Sequence, residues 1–309
     1  MNQKNNIMFR ILLSILSLML VCPISAQTER IEQDIFENLR EGDKAVVVAI
    51  HFGTSHSDTR RNTIDKFNDR LRKEFPECDF REAWTSRIIV RKMAQQGERI
   101  YVPSELFTEL QREGYTHVLI QSSNIIEGTE MENLRAEIET VKKDFKAIRM
   151  GEPLLSSSED YEKAILAVAA FYGNEKTANV LVCHGTQGNR NSSYTMLDYV
   201  LRDKEYDNWF VGTIEGYPSY DNLVKNMKRN KVKKVNLIPF MFVAGDHAKN
   251  DIALEWKENL HKTGFKVDVT LHSIGELDGI LDIFMHHARE AKRYRTYSPR
   301  ERKMLMRTL

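Results

Sequence analysis

Cysteine is scarce in this 309-residue chain: only Cys22, Cys78 and Cys183 occur, with no CxxC pair and no cysteine-rich spacing. A cysteine-built metal site is excluded. Cys183 closes an apolar run, which predicts a buried thiol rather than a disulfide partner. An excess of charge of one sign is also missing. Forty-five Lys and Arg against 44 Asp and Glu leave a net charge of +1, so there is no global case for nucleic-acid binding. No GxSxG nucleophile motif is present. The apolar run Ile11–Val21 is too short to span a bilayer.

That run reads instead as the core of a signal peptide. Lys4 and Arg10 precede it, and Pro23-Ile-Ser-Ala26 follows with a small residue before Gln27. Residues 1–26 are read as a cleaved signal, which implies export, to the periplasm, of a chain without a membrane span. A lipid anchor at Cys22 is disfavoured by the bulk of Val21. The last twenty residues are rich in Arg and Lys, the composition of a solvated helix face or tail.

What is present is alternation. Strand-like runs at Ala45–Ile50, Asp79–Trp84, His117–Ser122, Ala147–Met150, Ala178–Cys183, Trp209–Ile214, Val235–Val243 and Lys266–Leu271 alternate with helical stretches. This predicts an α/β fold with parallel sheets. Gly151–Ser158, with Pro153 and a serine cluster, is the best candidate connection between two halves. We therefore expect an N-terminal lobe over 27–155 and a C-terminal lobe over 156–309 that ends in a basic helix or tail. Val46-Val-Val-Ala-Ile-His-Phe-Gly-Thr54 and Asn179-Val-Leu-Val-Cys-His-Gly-Thr186 echo each other and open the two halves at matching places. Two similar lobes imply a cleft, the usual home of a ligand.

His184 and His247 each follow an apolar strand, where parallel sheets present ligand-binding side chains. Imidazole binds late first-row divalent metals and titrates near neutrality. Glu130 follows the third strand at the start of a helix, with Glu127 and Glu132 as rivals; a carboxylate there also suits the helix dipole. One carboxylate facing two histidines makes a mixed N/O site that leaves coordination positions open. His51 and His56 bracket the first glycine turn. Asp246 can orient His247 or cap the helix after it. His286 and His287 read as structural. Arg87, Arg91 and Lys92 lie near Trp84; their spacing alone suits a solvated helix face.

Several motifs then occur in a familiar order: Phe52-Gly-Thr-Ser55, Trp84-Thr-Ser86, Ile88-Ile-Val-Arg-Lys92, Gln121-Ser122, Gly128-Thr-Glu130, Glu152-Pro-Leu-Leu-Ser-Ser157, His184-Gly185, Glu215-Gly-Tyr-Pro218 and Val243-Ala-Gly-Asp-His247. With them the chain resembles the anaerobic cobalt chelatases, the sirohydrochlorin cobaltochelatases within the ATP-independent class II chelatases. The resemblance implies two α/β lobes around a cleft, insertion of cobalt(II) into a sirohydrochlorin-type tetrapyrrole, and no nucleotide. It implies that His184, His247 and Glu130 hold the metal and that His184 is the proton acceptor. Arg87, Arg91 and Lys92 would then pair with macrocycle carboxylates, Arg in bidentate fashion. Related chelatases handle nickel or iron.

Two departures bear on this reading. Where the family usually has Ser before Phe-Gly-Thr-Ser, this chain has His51, a third imidazole that could join the metal site. The export signal contrasts with the cytoplasmic setting of corrin synthesis. An exported haem- or metal-binding protein without turnover is therefore the competing expectation, and a metal-dependent hydrolase a lesser one. The sequence leaves homo-oligomerisation open.

Overall fold

A computed structural model describes residues 30–186, 189–245, 252, 254–297 and 299–308. The signal-like segment, Asp246 and His247 lie outside the described residues. The chain divides into two compact units. In the smaller, Arg30–Glu32 pairs antiparallel with Tyr294–Thr296, and helix Pro299–Thr308 carries Glu301, which accepts two bonds from Arg295 at 2.9 and 2.7 Å. No helix among the described residues is long and apolar enough to cross a membrane.

The larger unit, residues 35–292, contains two four-stranded parallel sheets. The first is built from β1 (Ala45–His51), β2 (Asp79–Trp84), β3 (His117–Ser122) and β4 (Ala147–Met150), in the order β2-β1-β3-β4. The second uses β5 (Ala178–Gly185), β6 (Trp209–Glu215), β7 (Lys234–Pro239) and β8 (Lys266–Val269), in the order β6-β5-β7-β8. The two orders are the same topology, used twice. The registers match too: Ala45 pairs with His117 and Val46 with Asp79, as Ala178 pairs with Val235 and Asn179 with Trp209. Ala45 and Ala178 are thus equivalent, and six residues further along each strand stand His51 and His184.

Strand periodicity sorts the side chains into layers. Val46, Val48 and Ile50 pack outward with Leu106, Phe107 and Leu134. Val180, Val182 and Leu237 pack with Leu223, Trp256 and Leu260. The alternate residues, Val47, Ala49, Leu181 and Cys183, belong to one shared core with Phe67, Tyr161, Leu197 and Phe284. Strands buried on both faces read as continuous apolar runs for this reason. The thiol of Cys183 is fully buried, which pushes its pKa well up.

The connection Gly151–Ser158 does link the sheets, but it is packed rather than loose. Leu154 and Leu155 are buried, and their amides bond to Asn124 and Ile125 carbonyls at 3.0 and 2.8 Å. Ser157 caps helix Ser158–Tyr172 in a capping box with Asp160. The helix Asp278–Arg293, although it comes from the second half, lies against the first lobe: Arg289 pairs with Glu74 at 2.9 Å and Phe284 packs on Phe67.

One expected element is shorter than the sequence suggests. The apolar run Val235–Val243 predicts a single strand, yet β7 ends at Pro239; the Phe240 amide still donates to the Val182 carbonyl at 2.8 Å, and Met241–Val243 then bend. Proline lacks the N–H that a central strand needs. Phe240, Met241 and Phe242 are buried in the core clusters, Val243 is half-buried, and all four line a cavity.

Candidate active site

A cavity of about 690 Å³ opens at the C-terminal ends of the strands, within the size range of small-molecule sites. Much of the wall is strand-end loop, and helices add Ile88, Ile89, Glu130 and Tyr194. His51–His56 follow β1, Ser123–Ile126 follow β3, Gly185 and Thr186 end β5 and its loop, Glu215 ends β6, and Phe240–Val243 follow β7. Two glycines make the tight approaches. Gly53 has φ +99°, and a Cβ there would sit 2.6 Å from Trp84. Gly185 has φ +88°, and its Cβ would fall 1.5 Å from the Glu215 carbonyl oxygen. Neither position accepts a larger residue without backbone movement.

His184 and Glu130 both line this cavity. His184 is half-buried, and its Nδ1–H donates to the Gly185 carbonyl at 3.1 Å. That bond sets the tautomer and leaves the lone pair on Nε2, the arrangement seen in metal-ligating and base histidines. Glu130 stands in the first turn of helix Thr129–Val141, where the helix dipole favours a carboxylate. Of the three carboxylates, Glu130 is the one among the cavity's lining residues. Glu127 is gripped by Arg135 at 2.7 and 3.0 Å, and Arg135 also reaches Glu152 at 2.9 Å. Glu132 pairs with Arg190 at 2.5 and 3.0 Å. Among the described residues, no group of three or more His, Cys, Asp or Glu side chains is placed to hold a metal; His247 is outside them.

His51 also lines the cavity, but its ring is wholly buried. Nε2–H donates to Asn68 Oδ1 at 3.0 Å, and Nδ1 accepts from the Ser123 hydroxyl at 2.8 Å. Phe242 stacks on the ring at 5.9 Å, and Phe67 meets it edge-on at 5.0 Å. Burial pushes its pKa below the ordinary 6.5, against the opposing pull of Glu82 and Asp65, so the ring is neutral. With both nitrogens engaged, His51 sits in a hydrogen-bond network rather than in an open coordination position.

Arg87, Arg91 and Lys92 are exposed on helix Arg87–Gln95 and are not part of the cavity lining; their neighbours Ile88 and Ile89 are. His56 lines the cavity. His287 is structural: its ring nitrogens contact the Glu152 carbonyl at 3.1 Å and the Asp160 carboxylate at 3.2 Å. Sequence reasoning gave no site role to the lining residues Glu215, Tyr194 and Ser123. Glu215 ends a strand, and the rule that selected His184 would also have found it. Tyr194, buried with its phenol pKa pushed up by desolvation, comes from a helix and gives no local signal. Ser123 is recognisable only by its contact with His51.

Residues 44–293 match the family model for cobalt chelatases (CbiK). The chain belongs to the cobalt chelatase family. This chelatase is 32% identical over 257 residues to a sirohydrochlorin cobaltochelatase of Salmonella typhimurium, across 80% of its own length and 96% of that protein. It is 32% identical over 235 residues to the sirohydrochlorin cobaltochelatase CbiKC of Nitratidesulfovibrio vulgaris, across 73% and 83%. In fold the chelatase is similar to SirB from Bacillus subtilis with Fe3+, with a TM-score of 0.58 at 14% identity, covering 81% of this chain and 96% of that one.

Proposed function

We propose that this enzyme inserts cobalt(II) into sirohydrochlorin or a closely related tetrapyrrole bound in the strand-end cavity. The observation that carries the reading is the convergence of Glu130 from one lobe and His184 from the other on one 690 Å³ cavity, in a chain of this family. In the reading, Glu130 and His184 hold the incoming cation, and His247, two positions after Gly245 in the sequence, completes a mixed N/O set. Imidazole and carboxylate bind a divalent metal while still releasing it, as a transfer site requires. Metal entry displaces two pyrrole protons, and His184, with its lone pair on Nε2, takes one as general base. Apolar residues of the wall, Phe52, Ile88 and Ile89 among them, supply a surface for the flat macrocycle. Arg87, Arg91 and Lys92, on the helix that carries Ile88 and Ile89, meet its peripheral carboxylates.

The test is insertion itself. Purified protein is mixed with sirohydrochlorin and Co(II), Fe(II) or Ni(II), and the absorbance change is followed. The expected result is a rate with cobalt at least about 100-fold above the spontaneous reaction, the scale a positioned general base supplies. A rate equal to the spontaneous one with all three metals overturns the proposal.

A further inference from the structure

Metal insertion releases two protons, and the geometry at His184 provides for one. His51 occupies the register position in the first sheet that His184 occupies in the second, so the cavity has an imidazole at each central strand end. The two differ in access. His184 is half-buried at the wall, whereas His51 is wholly buried, with the Ser123 hydroxyl 2.8 Å from its Nδ1. Ser123 is itself a lining residue, and its amide bond to the Ile50 carbonyl at 2.9 Å fixes it beside the strand end.

We infer that Ser123 and His51 form a second proton-accepting relay, which removes from the bound macrocycle the pyrrole proton that His184 does not take. The inference rests on the proposed insertion reaction. As the metal–nitrogen bond forms, the pyrrole N–H bond breaks and its electron pair stays on nitrogen to bind the metal. The proton passes to Ser123 Oγ while the serine's own proton moves to His51 Nδ1. Ser123 ends neutral, and His51 becomes an imidazolium with Nε2–H still bonded to Asn68 Oδ1. Glu82 and Asp65 favour that cation; Arg60 opposes it, and Phe67 and Phe242 cover the ring without contributing charge. Burial keeps the resting ring neutral and makes the cation short-lived, so the proton returns through Ser123 to water once product leaves.

The test is cobalt insertion by the full chain carrying Ser123→Ala or Ser123→Thr, measured across pH 6–9 with and without added imidazole. Ser123→Ala is expected to lower kcat about 10- to 100-fold at pH 7, with KM for the macrocycle changed less than about two-fold. The deficit shrinks as pH rises or as imidazole replaces the missing acceptor, and Ser123→Thr, which keeps the hydroxyl, retains most of the rate. A wild-type kcat and pH profile in Ser123→Ala overturns the relay. So does a loss that neither pH, imidazole nor threonine restores, the mark of a structural effect. If wild type shows no insertion above the spontaneous rate, the proposed function fails and the relay with it.

Discussion

At the residue scale, equivalent sequence positions do not give equivalent chemistry. His51 and His184 share a register position, and both were legible in the sequence as a histidine at the end of a buried strand. Their surroundings were not. His51 is fixed by Asn68 and Ser123, 17 and 72 residues away, and no local pattern announces such partners. Glu127, Glu130 and Glu132 were likewise alike in the sequence, which does not show that Arg135 pairs with Glu127 and Arg190 with Glu132. The burial of His51 has a consequence for stability. Its folded pKa lies below the ordinary 6.5, so below that pH the unfolded chain binds the extra proton and the folded one does not. Stability from this group is complete above pH 6.5 and is lost as pH falls from there toward the depressed folded value. The unfolding free energy of wild type, read from urea titrations, should therefore fall between pH 7.5 and 5.5 more steeply than that of His51→Gln, by up to about 1.4 kcal/mol per pH unit. Parallel slopes would show that His51 does not titrate differently on folding.

At the scale of elements, strands and helices followed from periodicity, because buried parallel strands and amphipathic helices leave strong patterns. The strand that ends early shows the limit: hydrophobicity reports burial, not the element that is buried. Phe240–Val243 continue the apolar run of β7 yet form a cavity wall. Gly151–Ser158 has the composition of a loose linker, yet it is held on both sides. Asp160 is the clearest support of that segment. Burial alone raises its carboxyl pKa, but the His287 imidazole and the Ser157 and Ser156 hydroxyls outweigh this and hold it well below the usual carboxylate range. Asp160→Asn keeps the shape and removes the charge that His287 faces. We expect it to cost about 1–3 kcal/mol, read as a fall in Tm. An unchanged Tm would mean that the connection does not depend on this pair.

At the scale of the whole molecule, the larger unit uses one β2-β1-β3-β4 topology twice and turns both sets of strand ends toward one cavity. The repeat was visible as two short strand-His-Gly-Thr echoes. The packing of Asp278–Arg293 back onto the first lobe was not, since its partners Glu74 and Phe67 lie some two hundred residues upstream. The arrangement divides the proposed chemistry between lobes, with the carboxylate on one and the base on the other. Single-turnover cobalt insertion by His184→Ala and Glu130→Gln, beside wild type, is the measurement that tests this division most directly. The predicted result is a loss of at least about 100-fold for His184→Ala, with Glu130→Gln requiring more cobalt to reach its half-maximal rate. Insertion at the wild-type rate in His184→Ala, or an unchanged cobalt dependence in Glu130→Gln, would contradict it.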